Sequence, residues 1–288
     1  MTPIRIVGII SKPRKEEVCA VVPTLTDWLK QRQLEVLYDE ETAKCVDAPA
    51  QAVTRAELGR RADLAVVLGG DGTLLAAARA LGDHDIPVLS INLGGLGFLT
   101  SFPREELYKA LSLVFAGNYR VSERVLLDAT LERGGATIAR HRALNDVVVN
   151  KAAMARILSL DLYFDGSYAC SYRADGIIFS TPTGSTAYSL SAGGPIVHSQ
   201  VGAFVVTPIC PHVLSNRPLV VPDQTKIELV VASGHEDAFL TIDGQVGVEL
   251  RDADRITVTK SRNKLKLIRP PEKIYFEILR AKLKWGAR

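Results

Sequence analysis

The stretch Ala62-Asp63-Leu64-Ala65-Val66-Val67-Leu68-Gly69-Gly70-Asp71-Gly72-Thr73 and its continuation to Leu81 decide the fold class. Residues 62–68 form a short apolar run that ends abruptly in glycine, as a strand buried on both faces does. Residues 73–81 are rich in Ala and Leu and predict a helix. Strand, glycine turn and helix are the repeating parts of an α/β domain, and the flanking sequence repeats them. Ile4–Ile10, Leu34–Tyr38 and Ile86–Ile91 predict further strands, and Glu16–Arg32 and Arg104–Phe115 predict helices. Pro23 argues for a break or an early turn in the first of these helices. The alternation implies a parallel sheet with helices on its faces.

Past Gly117 the helical period fades. Short alternating segments take over, among them Val125–Leu131, Ile157–Tyr163, Ile227–Val231, Ile256–Thr259 and Leu265–Leu267. Asp165-Gly166, Asp223-Gln224 and Asp243-Gly244 supply turns between them. This pattern predicts a mostly antiparallel, sandwich-like β domain. Ser185–Ala192 is a helix candidate after a Pro-Thr-Gly turn. Pro271–Trp285 reads as an amphipathic helix expected to return to the first domain. The 288 residues are thereby divided into an α/β domain, 1–117 with 271–288 packing back, and a β-rich domain, 118–270.

Composition excludes several classes. Charged residues make up 23% and hydrophobic ones 47%, so disorder and coiled coil are excluded. A net charge of +3 gives no reason to expect a nucleic-acid or membrane-surface partner. The N-terminal segment lacks the apolar core of a signal peptide, and no apolar run approaches the ~20 residues of a membrane helix. Cys19, Cys45, Cys170 and Cys210 form no Cys-x-x-Cys pair, so neither zinc nor redox chemistry is signalled. They are expected as separate thiols in a soluble protein of a reducing compartment, the cytoplasm. His84, His141, His198, His212 and His235 have no metal-ligand spacing, and no protein metal site is expected.

Three segments carry chemistry. Gly69-Gly70-Asp71-Gly72-Thr73 joins a buried strand to a helix, where close backbone approach and free N–H groups favour phosphate. A carboxylate is out of place beside phosphate, so Asp71 suggests a proton acceptor or a metal contact, unless it merely caps the helix. Asn92-Leu93-Gly94-Gly95-Leu96-Gly97-Phe98-Leu99 is a second glycine loop after a strand, where parallel-sheet folds bind ligands. The stretch Ser180-Thr181-Pro182-Thr183-Gly184-Ser185-Thr186-Ala187-Tyr188-Ser189-Leu190-Ser191, followed by Gly193-Gly194-Pro195, concentrates hydroxyls and glycines suited to ribose or phosphate. Asn145-Asp146 offers donors and acceptors, Arg156 and Arg173 suit phosphate or carboxylate, and Asp243-Gly244-Gln245 reads first as a hairpin turn.

Together these motifs resemble the bacterial NAD kinases, in the expected order and over nearly the whole chain. The Gly-Gly-Asp-Gly loop alone is shared with lipid kinases and phosphofructokinases; the Thr-Pro-Thr-Gly-Ser-Thr-Ala-Tyr stretch is far more specific. The resemblance implies a Rossmann-like N-terminal domain, a β-sandwich-like C-terminal domain, and transfer of the γ-phosphoryl group of ATP to the 2′-hydroxyl of NAD's adenosine ribose, giving NADP. It implies Asp71 as proton acceptor, with Gly69, Gly70, Gly72, Thr73, Gly94, Gly95, Gly97 and Phe98 forming the nucleotide and phosphate loops. Asp71, Gly72, Asn145, Asp146, Arg156, Arg173, Asp175, Thr186, Ala187, Tyr188, Ser189, Leu190, Ser191, Cys210 and Gln245 would contact NAD. The family more often has Asn-Glu where this chain has Asn145-Asp146, one methylene shorter. A divalent cation, Mg²⁺, and ATP are the implied cofactor and donor, and dimers or tetramers the implied assembly.

A ribose hydroxyl is a poor nucleophile at neutral pH, so a positioned base helps. No Walker-type Gly-Lys-Ser/Thr is present, which fits a different phosphate cradle. Two other classes compete: a lipid kinase of the diacylglycerol or sphingosine type, and a dinucleotide-binding regulator without catalysis. The polar 183–191 stretch argues against the first, and Asp71 against the second.

Overall fold

The computed structural model describes residues 3–12, 16–46, 49–95, 97–100, 102–152, 157–213, 215–232, 238–270 and 275–285. The chain forms two compact units, one of residues 1–123 and 265–288 and the other of 124–264.

In the first unit, β1 (Ile6–Ser11), α1 (Glu16–Lys30), β2 (Glu35–Asp39), α2 (Glu40–Ala43), β3 (Ala52–Val53), α3 (Arg55–Arg61), β4 (Leu64–Gly69), α4 (Asp71–Leu81), β5 (Pro87–Asn92), β6 (Phe102–Pro103) and α5 (Leu107–Phe115) follow one another. The strands lie in the order β5-β4-β1-β2-β3, every neighbour parallel. All six residues of β4 are buried, because helices cover both faces of a parallel sheet. Its carboxyl end and that of β5 deliver the two glycine loops.

Pro23 does not break α1, contrary to the expectation; the helix runs unbroken through it. The apolar stripe Val18, Val21, Val22, Leu25 and Leu29 is buried along the whole length, and that burial outweighs one lost backbone hydrogen bond. The hydroxyl of Thr24 also bonds back to the Val21 carbonyl at 3.0 Å, giving the proline's turn a second link. A second correction concerns the cysteines. Cys19 and Cys45, expected as separate thiols, form a disulfide with Cα atoms 4.7 Å apart. The pairing was illegible because 26 residues separate them and only the fold brings α1 beside the end of α2. Cys170 and Cys210 are free thiols.

Among the described residues the second unit is β-structure apart from one short helix and a 3₁₀ turn. Its elements begin with β7 (Arg120–Arg133), β8 (Ala136–Ala143), β9 (Asp146–Lys151), β10 (Leu158–Phe164), β11 (Ser167–Ala174) and β12 (Gly176–Ser180). A 3₁₀ turn (Gly184–Thr186), α6 (Tyr188–Ser191), β13 (Ala203–Ile209), β14 (Leu219–Pro222), β15 (Ile227–Val231), β16 (Ala238–Ile242), β17 (Val246–Leu250) and β18 (Arg255–Arg269) complete it. One antiparallel sheet has the order β14-β13-β12-β9-β16-β17; in the other, β10 lies between β11 and β15, and β15 pairs with β18 through residues 255–258. Leu160 and Leu229 from one sheet and Val147, Phe179 and Leu240 from the other share one core, as in a sandwich. Asp165-Gly166 and Asp243-Gly244 each close a hairpin with φ positive at both positions, which Asp and Gly tolerate. The distal half of β18 leaves this unit and pairs in parallel with β5 at Lys266↔Pro87, and α7 (Tyr275–Leu283) follows it. Residues 271–274 of the expected final helix lie outside the described residues.

Candidate functional site

The first glycine loop turns sharply at Gly69-Gly70. Gly70 is the N-cap of α4, and Asp71 is the first helical residue rather than the cap. The 98–100 segment reaches its side chain. Asp71 Oδ2 accepts the Phe98 N–H at 2.8 Å, and Oδ1 accepts the Leu99 N–H at 3.1 Å and the Thr100 N–H at 3.0 Å. Thr100 Oγ1–H gives the carboxylate its fourth bond, the third on Oδ1, at 3.1 Å. All four partners are donors, matching a carboxylate, which accepts through both oxygens.

Asn92 shapes the second loop. Its Oδ1 accepts the Gly94 N–H at 2.8 Å and its Nδ2–H donates to the Gly95 carbonyl at 2.7 Å. The loop passes Asp71 so closely that a Cβ on Gly97 would stand 2.2 Å from Oδ1. Gly70 and Gly95 differ: a Cβ on either meets no protein atom within 4 Å. Packing does not demand glycine there, and the open backbone is free for close approach by a ligand. Thr73 is buried in α4 with its Oγ1 filling the space over Gly69, and Gly72 is exposed. Lys282 of α7 lies 5.7 Å from the Phe98 ring centre.

In the second unit, strand alternation builds a cavity. Val147 and Val149 point into the sandwich core, which turns Asp146, Val148 and Asn150 of β9 to the opposite face. Thr241 of β16 stands in register with Val148 on that face. With Asn145, Ala187, Tyr188, Asp243 and Gly244 these residues line a cavity of about 280 Å³. Asp243 organises its floor by accepting the N–H groups of Leu144 (3.2 Å), Asn145 (2.8 Å) and Asp146 (3.2 Å). Burial, reinforced by that neighbouring carboxylate, pushes the Asp146 carboxyl up to about 7.

The hydroxyl-rich stretch is mostly scaffold. Thr181 Oγ1–H donates to the Leu144 carbonyl at 2.6 Å and accepts the Gly184 N–H at 3.0 Å. Ser185 Oγ accepts the Val197 N–H at 2.9 Å, and Ser189 pairs with Thr207 at 2.9 Å. A Cβ on Gly184 would lie 2.1 Å from the Asn145 carbonyl oxygen, so this turn presses directly on Asn145. Asn145 Oδ1 and Thr183 Oγ1 are buried without partners among the described residues, leaving hydrogen-bonding capacity for a ligand.

Of the sequence-predicted residues, the structure brings Asn145, Asp146, Ala187 and Tyr188 together around this cavity. Thr186, Ser189, Leu190 and Ser191 adjoin it in sequence without lining it. Gln245 follows Gly244 in the hairpin, its N–H on the Ile242 carbonyl at 2.9 Å. Asp175 pairs with Lys151 at 2.9 Å, Arg173 is exposed on β11, and Cys210 is exposed at φ +45°. Arg156 lies outside the described residues. Sequence reading missed Asp243 and Thr100. The Asp-Gly hairpin signal located Asp243, but nothing in the sequence pointed to its three amide partners about a hundred residues earlier. Among the described residues no group of three or more His, Cys, Asp or Glu is arranged to hold a metal ion, and no helix is long and apolar enough to cross a membrane.

A parallel-sheet unit whose glycine loop carries a held carboxylate, joined in sequence to a β sandwich whose cavity is edged by carboxylate and amide side chains, defines a nucleotide-dependent phosphotransferase class. Family models narrow it: residues 7–119 match the ATP-NAD kinase N-terminal domain and residues 144–270 the ATP-NAD kinase C-terminal domain. The chain belongs to the NAD kinase family. It is 47% identical to the NAD kinase of Solibacter usitatus over 285 residues, covering 99% of both chains. It is also 47% identical to that of Geotalea daltonii over 282 residues, covering 98% of this chain and 99% of the relative. Yeast NADH kinase complexed with NADH superposes with a TM-score of 0.91 at 29% identity, covering 100% of this chain and 90% of that one. The NAD kinase from Archaeoglobus fulgidus in complex with ATP gives 0.74 at 26% identity, covering 97% and 98%. Two NAD kinase models spanning most of the chain leave no support for the lipid-kinase and regulator readings.

Proposed function

We propose that this chain transfers the γ-phosphoryl group of ATP to the 2′-hydroxyl of NAD's adenosine ribose, releasing ADP and NADP. The observation that carries the reading is Asp71: a carboxylate in a glycine loop, held by four donors, with Oδ2 accepting only one of them. Asp71 Oδ2 takes the proton of the ribose hydroxyl as its oxygen bonds the γ-phosphorus. The bond from that phosphorus to the bridging oxygen breaks, and ADP departs with the electron pair.

The open backbone at Gly70 and Gly95, with Gly69, Gly72, Thr73, Gly94, Gly97 and Phe98, is assigned to the phosphates. ATP would enter as its Mg²⁺ complex, in which the cation would neutralise phosphate charge; a cation carried mainly by phosphates and water needs few protein ligands. NAD is assigned to Asn145, Asp146, Ala187 and Tyr188, whose cavity is lined by Asn145 with its buried Oδ1 unpartnered among the described residues. Further contacts are assigned to Arg156, Arg173, Asp175, Thr186, Ser189, Leu190, Ser191, Cys210 and Gln245. The protein is assigned to the cytoplasm as a dimer or tetramer.

The test is incubation with ATP, Mg²⁺ and NAD, with NADP read by an NADP-specific dehydrogenase, and NADH assayed in parallel. Asp71→Asn should bind NAD as the wild type does and turn over ~10²-fold more slowly or worse. Near-normal turnover in that variant removes Asp71 from the base role.

A further inference from the structure

We propose that Thr100 is a positioning residue for phosphoryl transfer: its hydroxyl and amide saturate Asp71 Oδ1 and leave Oδ2 as the oxygen that receives the proton. The proposal rests on Asp71 being the base. It adds which oxygen reacts and what selects it.

The two carboxylate oxygens are unequal. Oδ1 accepts three bonds, from Leu99 N–H, Thr100 N–H and Thr100 Oγ1–H, at 3.0 to 3.1 Å. Among the described residues Oδ2 accepts one, from Phe98 N–H at 2.8 Å. A carboxylate has about four lone-pair sites over two oxygens. Oδ1 is therefore fully used, and Oδ2 keeps one site for an incoming hydroxyl. The terminal torsion of an aspartate is broad and roughly two-fold, so an unanchored carboxylate exchanges its oxygens. Anchoring Oδ1 stops that exchange and points the remaining lone pair in one direction.

Thr100 supplies two of those three anchors and is 1% exposed. Its hydroxyl has one proton, and it goes to Asp71. Gly97 permits the arrangement, since a Cβ there would stand 2.2 Å from Asp71 Oδ1 and 2.3 Å from Thr100 Oγ1. The anchors come from 27 to 29 residues downstream, so α4 does not impose the orientation itself.

The experiment compares Thr100→Val, Thr100→Ser, Asp71→Asn and the Asp71→Asn/Thr100→Val double variant in steady state, each normalised to its folded fraction by circular dichroism. Thr100→Val should lose about 10- to 100-fold in kcat, the scale of a misplaced reacting group. Its KM values for ATP and NAD should stay within about twofold, because the substrate-facing surface is untouched. Thr100→Ser keeps the hydroxyl and should recover most of the loss. In the Asp71→Asn background Thr100→Val should cost nothing further, since a residue acting through Asp71 has nothing left to act on. If Thr100→Val is too unstable to assay, Thr100→Ala carries the same comparison. Wild-type kcat in folded Thr100→Val or Thr100→Ala, or a full additional loss in the double variant, overturns the positioning role and leaves the base assignment standing. Full activity in Asp71→Asn overturns both.

Discussion

The carboxylate of Asp243 accepts the backbone N–H of Asn145 at 2.8 Å across 98 residues of sequence. It takes the neighbouring amides of Leu144 and Asp146 as well, so one side chain from the β16–β17 hairpin sets the path of the chain where it enters β9. Asn at 243 tolerates the same positive φ and leaves the turn intact, so Asp243→Asn removes the charge and one of the two accepting oxygens, its NH2 being unable to accept an N–H. The variant should lose about 1–3 kcal/mol of stability, the scale of hydrogen bonds to a charged group. Its KM for NAD should rise several-fold while that for ATP does not move. Denaturant melts and initial rates check both, and a folded variant with unchanged NAD KM contradicts the role assigned to this floor.

Asp146 gives a pH dependence of definite sign. Its carboxyl is raised from 3.8 to about 7 by burial and by Asp243, so the folded chain holds a proton that the unfolded chain releases. The stabilisation is fully present below pH 3.8 and is lost as pH rises to about 7, by at most about 1.4 kcal/mol per pH unit. Asp146→Asn cannot ionise. Its melting temperature relative to wild type should therefore climb between pH 4 and 7 and level off above. A difference that is flat across this range would show that Asp146 titrates normally.

Gly70 and Gly97 should part company. Alanine at Gly70 meets no protein atom, so Gly70→Ala should melt like the wild type and raise the KM for ATP. Alanine at Gly97 drives a methyl into Asp71 and Thr100, so Gly97→Ala should abolish turnover through kcat. Thermal melts with steady-state kinetics separate the two. Unaltered ATP affinity in Gly70→Ala would remove that glycine from the phosphate cradle.

The Cys19–Cys45 bond joins α1 to the end of α2 across 26 residues. Chain-entropy reasoning gives a crosslink of that span about 3–4 kcal/mol. A thiol reductant should lower the melting temperature of the wild type. Cys19→Ser should start lower and ignore the reductant. Equal melts with and without reductant would mean that the crosslink adds no stability.

Much of the architecture was legible in the sequence. A buried strand ending in Gly69-Gly70, with a helix behind it, needs only local periodicity and glycine chemistry to be read. Asp165-Gly166 and Asp243-Gly244 announced their hairpins for the same reason, since few residue pairs accept two consecutive positive φ values. Pro23 misled because local propensity counts one missing hydrogen bond but not the apolar stripe packed along α1. The hydroxyl-rich 180–191 stretch read as a polar ligand surface, and the structure gives several of its hydroxyls to the scaffold. Thr181, Ser185 and Ser189 spend their hydroxyls inside the fold, and Ala187 and Tyr188 reach the cavity.

The sequence by itself determined the parts whose physics is local: the parallel-sheet and sandwich halves, the glycine loops, the acidic residue in the first loop, and the family those motifs resemble. The tertiary structure alone decided how the carboxylates are used. Asp71 is oriented by amides 27 to 29 residues away, and the Asp146 carboxyl is raised to about 7 because it is buried beside Asp243. Hydrogen bonding and charge act through space over a few ångströms. Separation along the chain carries no record of which distant groups the fold places within that range.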